Sequence, residues 1–166
     1  MELSFDIRGN LEPYQKIEIE FEELKNYFSD RFENSVTRKA IFDSYAKYLI
    51  DFQKEVTPNF VQWIDGSFIT NKENPNDIDF VNLIDFDIYE KNEQIIEVKF
   101  RKYGAKNNYP GVDAYFVKVY SEEHDKSYMT EFDLVYWRNW FTETKKNRMK
   151  KKFPKGFVEI KFGTKN

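Results

Sequence analysis

The sequence predicts a single α/β or α+β domain, and three observations lead to this prediction. Its 166 residues are the length of one ordinary domain and include no internal repeat, low-complexity tract or Gly/Ser-rich linker. Hydrophobic residues make up 40% of the chain and charged residues 33%, a balance typical of folded globular proteins. Apolar residues recur at helical spacing in some segments and form short strand-like runs in others, so we expect both helices and strands.

The first third of the chain predicts an extended lead-in followed by two helices. Residues 1–19 have the pattern of an extended segment, whereas residues 21–28 carry apolar side chains at helical spacing. A second helix, capped by Asn34 or Ser35, ends near Pro58. Its apolar stripe consists of Ile41, Tyr45, Tyr48, Leu49 and Phe52.

Strand patterns dominate the middle of the chain. Residues 60–64 predict a short strand, residues 77–84 a buried strand and residues 112–120 a third strand. A turn-rich loop spans residues 71–76. The segment 90–103 fits either a helix or a strand, and we favour a helix because it would supply a crossover between two strands.

The C-terminal part predicts one more helix, a basic run over residues 145–155 and a last strand over residues 157–162. We expect the apolar stripe of this helix to face the core. The stripe consists of Tyr128, Phe132, Val135, Tyr136 and Trp140.

The composition excludes several classes of chemistry. The chain has no cysteine, which rules out a disulfide scaffold, a zinc–thiolate site and a cysteine nucleophile. His124 is the single histidine and lies in a polar segment that we interpret as surface. A classical zinc site would therefore need three carboxylates, and a Ser-His-Asp triad could use only this one histidine as its base. Oxygen-liking metals such as Mg²⁺ or Mn²⁺ remain open. Without a signal-peptide pattern or a membrane-length apolar run, we expect a cytoplasmic protein with no membrane partner.

Two aspartates on one predicted strand are the centre of the candidate site. Strand side chains alternate, so Asp77 and Asp79 point to one face and repel each other unless a cation neutralises them. A divalent cation such as Mg²⁺ is well suited to a few carboxylates with water and phosphate oxygens. Asp113 begins the third predicted strand, where a helical crossover could return it beside the pair.

A Gly-Ser turn precedes the two aspartates. Gly66 lets the backbone approach a phosphate, and consecutive N–H groups together with the Ser67 hydroxyl would bind an anion. Metal ligands beside phosphate donors are the parts that nucleotidyl transfer needs. Each motif alone also occurs by chance. The second Asp-x-Asp pair, Asp85 and Asp87, we interpret as a solvated strand end, and Asp65 as a support of the turn.

The stretch "DGSFITNKENPNDID", residues 65–79, together with Asp113 resembles the signature of the DNA-polymerase-beta-like nucleotidyltransferase superfamily. The closer resemblance is to small bacterial nucleotidyltransferase-like proteins, some of them toxins or antitoxins. It extends over most of the chain, although only residues 65–79 and Asp113 are specific. The resemblance implies a mixed sheet with helices on one side, Mg²⁺ and a nucleoside triphosphate. It also implies metal binding by Asp77, Asp79 and Asp113, and phosphate binding by Gly66 and Ser67.

One departure from the superfamily pattern concerns the phosphates. Many active members place a basic residue shortly after Gly-Ser, whereas this chain has Phe68-Ile69-Thr70, and the first basic residue is Lys72. Phosphate binding is therefore either weaker than in those members, or it uses Lys72, our candidate in this loop, or a basic residue from elsewhere in the chain.

The basic run 145–155 holds seven Lys or Arg residues and no acid. It is either an RNA- or triphosphate-binding segment, with Trp137, Trp140 and Phe153 as stacking surfaces, or a solvated helix end followed by a loop.

We thus predict one nucleotidyltransferase-like domain over residues 1–166. It has an N-terminal helical part (1–57), a catalytic core (58–120) and a C-terminal part (121–166) with the helix, the basic run and the last strand. Two functions remain open: transfer of a nucleoside monophosphate from a triphosphate to a hydroxyl of RNA or protein, and a catalytically weak binding module such as an antitoxin or regulatory partner. A metal-dependent phosphodiesterase is a third class, but such sites commonly use several histidines.

Overall fold

A computed structural model describes residues 3–163, and its central element is a five-stranded mixed sheet. The seven strands are β1 (Ser4–Phe5), β2 (Leu11–Glu12), β3 (Lys16–Glu18), β4 (Phe60–Asp65), β5 (Ile78–Asp85), β6 (Val112–Val119) and β7 (Phe157–Phe162). The five-stranded sheet has the order β3-β7-β4-β5-β6, while β1 and β2 form a separate antiparallel pair. Strand β4 is antiparallel to β5 and β7, whereas β5–β6 and β3–β7 are parallel pairs. The predicted α+β class is confirmed.

Five α-helices accompany the sheet in the described part of the chain. They are α1 (Phe21–Lys25), α2 (Arg38–Glu55), α3 (Phe86–Ile95), α4 (Lys102–Asn108) and α5 (Ser127–Phe141). A π-helical turn extends α1 over Asn26–Asp30, and another extends α3 over Ile96–Phe100. The helix favoured for the ambiguous segment is confirmed: α3 and α4 form the crossover between the parallel strands β5 and β6. None of the helices within residues 3–163 has the length and apolar character needed to cross a membrane.

Helices cover both faces of the sheet. Tyr48 of α2 packs against Phe80 of β5, with ring centroids 5.1 Å apart, and Trp137 of α5 packs against Tyr115 of β6 at 5.2 Å. Phe80 pairs in register with Ala114, so the next residue, Tyr115, points to the opposite face. The expectation of helices on one side is therefore wrong, because α5 returns across the second face.

The α2 stripe packs into the core as predicted, and all five of its members are buried. Where α2 begins differs from the prediction: the helix starts at Arg38 after Thr37. The Ser35 hydroxyl still accepts hydrogen bonds from the backbone N–H groups of Thr37 and Arg38, at 3.3 and 3.2 Å. Ser35 thus helps to satisfy the free N–H groups at this helix start without being the residue that precedes the helix.

A chain of buried polar groups fixes how α2 lies on the sheet. Tyr45 donates to Gln62, whose amide donates to Asn82 at 2.8 Å. The Asn82 amide in turn donates to the Tyr48 hydroxyl at 2.8 Å, and this hydroxyl donates to the carbonyl of Phe100 at 3.0 Å. Every member of this chain has a partner, so the buried groups fix the packing of α2 on the sheet without an unsatisfied hydrogen bond.

The apolar stripe predicted for α5 does not face the core. Tyr128, Phe132 and Trp140 are 55%, 71% and 52% exposed, and Val135 and Tyr136 are also exposed. The packed face instead carries Thr130, Leu134, Trp137 and Phe141. Both sets have helical spacing, because this helix is apolar on more than one face. Periodicity alone could not decide which face packs against the sheet.

The extended lead-in predicted for residues 1–19 contains β1, β2 and β3 within its described part. Residues 1, 2 and 164–166 of the predicted domain lie outside the described residues. Strand β3 pairs in parallel with β7, so the predicted N-terminal helical part also contributes a strand to the main sheet.

Arg38 connects α2 to the loop that follows the Gly-Ser turn. Its side chain is fully buried, and its guanidinium donates to five backbone carbonyls, those of Phe28, Phe68, Thr70, Lys72 and Glu73. The guanidinium also lies 3.7 Å from the centroid of the Phe32 ring. Arginine can satisfy so many acceptors because its five N–H groups fan out in one plane.

We expect Arg38→Met to lower the free energy of unfolding by about 3–5 kcal/mol, because it leaves several buried carbonyls without donors. Urea denaturation would measure the loss. The matched control is Lys39→Met at the exposed neighbouring position, which we expect to change stability by no more than about 0.5 kcal/mol. Equal stability of the two variants would contradict a supporting role for Arg38.

Candidate functional site

A cavity of about 870 Å³ lies on the face of the sheet that α5 crosses. Four carboxylates lie together on its floor: Asp65, Asp77, Asp79 and Asp113. Aromatic side chains line it from β6 and α5: Tyr115, Tyr136, Trp137, Trp140 and Phe141. Four lysines from the basic run also line it: Lys145, Lys146, Lys152 and Lys155. A fifth carboxylate, Glu143, lines the cavity as well and forms an ion pair with Lys152 at 2.9 Å. The cavity is therefore acidic on the floor and basic and aromatic around it.

Strand pairing brings three of the carboxylates together. Asp79 of β5 pairs in register with Asp113 of the parallel strand β6, so both side chains point to the same face. Asp77 lies just before β5. One oxygen from each of Asp77, Asp79 and Asp113 lies within 4.8 Å of the others, which is a spacing that a single divalent cation can bridge. The structure therefore brings the predicted trio together, while its catalytic role stays a prediction.

The carboxylates differ in how their charge is balanced. Asp113 forms an ion pair with Lys106 at 3.2 Å and accepts a hydrogen bond from the Tyr115 hydroxyl at 3.4 Å. The side-chain carboxylate of Asp79 forms neither an ion pair nor a hydrogen bond within the described residues. Burial, followed by repulsion from Asp77, Asp113 and Asp65, raises the pKa of Asp79 to about 7.

Gly66 is required at the turn beside these carboxylates. Its φ is +81°, and a Cβ atom built there would lie 2.0 Å from Oδ2 of Asp79. Any other residue would strain the backbone and push the Asp79 carboxylate away. Ser67 follows at the start of a short 3-10 helix, Ser67–Ile69, and also lines the cavity. The Gly-Ser turn therefore lies directly against a candidate metal ligand.

Asp65 does more than support the turn. It is buried, pairs in register with Asp79 across β4 and β5, and forms an ion pair with Lys155 at 2.5 Å. Burial raises the pKa of the Asp65 carboxyl to about 6, and the Lys155 charge opposes that rise only in part. Sequence reasoning missed this pair, although Lys155 belongs to the basic run that it singled out.

Lys72 does not join the site. The lysine is exposed, is not among the residues that line the cavity, and offers its backbone carbonyl to Arg38. The cations of the cavity come from the basic run instead. Lys145 is close enough for its positive charge to oppose, in part, the rise in the pKa values of Asp79 and Asp65. The only sequence signal for Lys145 was its membership of that run.

Three other residues singled out in the sequence lie away from the cavity. Asp85 ends β5 and Asp87 lies in the first turn of α3, and both are exposed, in agreement with a solvated strand end. His124 lies in a partly exposed loop with its ring 4.8 Å from that of Tyr120. None of the three lines the cavity.

Comparison with known families gives one match. The model of DUF6932, described as a family of unknown function, matches residues 3–161. The chain belongs to this family. The DUF6932 match includes every carboxylate of the cavity floor, the Gly-Ser turn and the basic run. Searches of curated proteins and of solved structures give no match.

The donor set of this DUF6932 cavity fits a hard divalent cation. Three carboxylates supply oxygen ligands, and within the described residues Asp79 forms no ion pair that would balance its charge. Mg²⁺ and Mn²⁺ take such oxygen ligands and leave positions for phosphate oxygens. Nothing in the described cavity offers the sulfur or several imidazole ligands that zinc prefers.

We expect the pKa of Asp79 to make stability depend on pH in the presence of EDTA. Its folded-state pKa of about 7 lies above the ordinary value of 3.8, so the folded protein retains a proton that the unfolded chain releases. This contribution is complete below about pH 4 and is lost as the pH rises to about 7. Asp79→Asn should therefore stabilise the protein by about 1–3 kcal/mol at pH 8 and by less at pH 5.

Urea denaturation at the two pH values, with EDTA throughout, would measure this difference. The control is Asp43→Asn, which changes an exposed carboxylate on α2. A stability difference between Asp79→Asn and wild type that does not change with pH would contradict the raised pKa.

Proposed function

We propose that the protein is a Mg²⁺- or Mn²⁺-dependent nucleotidyltransferase that moves a nucleoside monophosphate from a triphosphate to a hydroxyl of RNA or protein. The observation that carries the proposal is the convergence of Asp77, Asp79 and Asp113 beside the Gly66-Ser67 turn. The cavity of about 870 Å³ falls in the size range of nucleotide-sized ligand pockets.

The carboxylates would hold the metal ions, Asp77 and Asp79 binding both and Asp113 the one at the acceptor hydroxyl. Bound there, the ions would supply charge neutralisation and Lewis-acid activation of phosphate and hydroxyl oxygens. The protein's own part is to hold the three carboxylates in place. Parallel pairing of β5 with β6 does so, and Lys106 and Tyr115 fix the orientation of the Asp113 carboxylate.

The triphosphate would lie between the Gly-Ser turn and the basic run. The Ser67 hydroxyl and nearby backbone N–H groups offer donors for its β- and γ-phosphates. Lys155 is already paired with Asp65, so Lys145 is the better placed cation for the phosphates. In the proposed reaction, the acceptor oxygen forms a bond to the α-phosphorus. The bond between the α-phosphorus and the oxygen that bridges it to the β-phosphate breaks, and pyrophosphate leaves. Asp113 would face the acceptor and help take up the hydroxyl proton.

A binding module without turnover is the second candidate, and one observation favours it. The residues that directly follow Ser67, Phe68 and Ile69, are apolar and buried, so the position where many active nucleotidyltransferases have a cation for phosphates has none. A protein of this kind would act as an antitoxin or regulatory partner. Both proposals place the protein in the cytoplasm, where triphosphates are abundant and a chain without cysteine needs no oxidising environment.

Asp77→Ala/Asp79→Ala should lower transfer of radiolabelled nucleotide to total tRNA or lysate proteins by at least about 100-fold, because it removes two metal ligands. Each of the four triphosphates would be tried with Mg²⁺ and with Mn²⁺. Asp85→Ala/Asp87→Ala is the matched control, since it removes an identical pair outside the cavity. Equal labelling by wild type and the Asp77/Asp79 variant would overturn the enzymatic proposal.

Thermal denaturation separates the two candidates. With Mg²⁺ and a triphosphate at about 100 times its Kd, a nucleotide site stabilises by about 2.7 kcal/mol, which raises the Tm by about 5–10 °C. The Asp77→Ala/Asp79→Ala variant should lose this rise. No rise with any triphosphate, together with stable co-purification of one partner protein, would favour the binding module.

A further inference from the structure

Two aromatic rings stand at the open side of the cavity with exposed faces. Tyr136 and Trp140 of α5 line the cavity, yet they are 59% and 52% exposed. Their ring planes differ by only 12°, with centroids 6.4 Å apart. Between them in the helix, Trp137 is half-buried against Tyr115 and anchors this part of α5 to β6. The pair therefore offers flat apolar surfaces on a fixed support.

The basic run forms an ordered arm beside these rings. The backbone N–H of Thr144 donates to the carbonyl of Phe153 at 2.8 Å, and that of Asn147 donates to Lys151 at 2.9 Å. The Asn147 side chain closes the tip by accepting from the backbone N–H groups of Met149 and Lys151, both at 2.9 Å. The arm is anchored at its base by the ion pair of Lys155 with Asp65. Of the alternative reading of this segment, the helix end is wrong because α5 already ends at Phe141, whereas the solvated loop agrees with the exposure of residues 145–152.

Charge and ring chemistry together identify the kind of ligand. We define the rim as Tyr136, Trp140, Lys146 and Lys152, which all line the cavity and are all exposed. The run that supplies the two lysines has seven basic residues and no acid, so it attracts a polyanion. Flat exposed rings beside such a segment bind unpaired bases by stacking, which double-stranded nucleic acid does not offer.

We propose that the rim binds single-stranded RNA and guides its end, with the acceptor hydroxyl, towards Asp113. The inference rests on the proposed function for the reaction, but the binding itself needs neither metal nor triphosphate. RNA is favoured over a protein acceptor because the rim combines clustered positive charge with stacking surfaces. Glu143 also lines the cavity and forms an ion pair with Lys152 at 2.9 Å, so a phosphate at Lys152 would compete with this carboxylate, whereas Lys146 forms no ion pair within the described residues. The acids of α5, Glu131 and Asp133, do not line the cavity.

Fluorescence anisotropy with a labelled oligouridylate of about 12 nucleotides tests the rim in EDTA. Tyr136→Ala and Trp140→Ala should each weaken binding by roughly five- to 150-fold, the loss of one stacked base. The control is Tyr103→Ala, which removes a ring that is 80% exposed on α4 and does not line the cavity. All these positions are exposed, and circular dichroism would verify that the variants fold.

The salt dependence tests the lysines separately. Lys146→Gln/Lys152→Gln should reduce the slope of log K against log salt by about 1.4, because each phosphate contact to single strands contributes about 0.7. Lys39→Gln/Lys47→Gln removes two exposed lysines of α2 and should leave the slope unchanged. Rim variants that bind RNA as the wild type does would overturn the inference. If those variants instead changed self-association in sedimentation, the α5 face would be a protein interface and the inference would also fail.

Failure of this inference and failure of the proposed function give different results. Asp77→Ala/Asp79→Ala should bind the oligonucleotide at least as tightly as wild type, since two negative charges leave the floor. Rim-dependent RNA binding without any nucleotide transfer would overturn the proposed function and support the rim. Transfer to a protein acceptor without rim-dependent RNA binding would support the enzyme and overturn the rim.

Discussion

Repulsion among the carboxylates at one edge of the sheet is the constraint on which the cavity depends. Pairing of β4, β5 and β6 fixes Asp65, Asp79 and Asp113 on one face, and Asp77 joins them from the preceding loop. Nearby lysines neutralise some of these carboxylates but not others. Lys155 balances Asp65 and Lys106 balances Asp113, while Asp79 has no cation of its own among the described residues. Asp77 forms no ion pair within the described residues either. An arrangement that costs stability and leaves two carboxylates without an ion pair is more typical of a binding site than of a structural cluster.

The two faces of the sheet have different tasks. On the α2 face, tightly packed rings and a fully satisfied polar chain supply stability. On the α5 face, the same strands present carboxylates to a cavity. Arg38 connects the two faces, because it belongs to α2 and its guanidinium donates to backbone carbonyls of the loop that follows Ser67. The stable face thereby holds the loop beside the Asp79 carboxylate in a fixed position.

Local patterns predicted much of the fold and the centre of the site. Strand alternation and a helical crossover were enough to place Asp77, Asp79 and Asp113 together, because both rules act over short stretches of chain. The Asp65–Lys155 pair joins residues 90 positions apart, and no periodic pattern reports such a contact. Lys72 was chosen for its position after the Gly-Ser turn, yet the loop turns its side chain outward. The packed face of α5 escaped prediction because that helix is apolar on more than one side.

The position of β7 has a consequence for how the protein is made. This strand, the last of the sheet in chain order, lies between β3 and β4, and its Glu159 pairs with Lys16, 143 residues away in the sequence. During translation, β3 therefore cannot pair with its neighbouring strand β7 until residues 157–162 have left the ribosome. Lys155 emerges just before them, so the nascent chain carries the acidic floor without its covering arm. The cavity is therefore complete only after the basic run and β7 have been synthesised, long after the strands that carry its carboxylates.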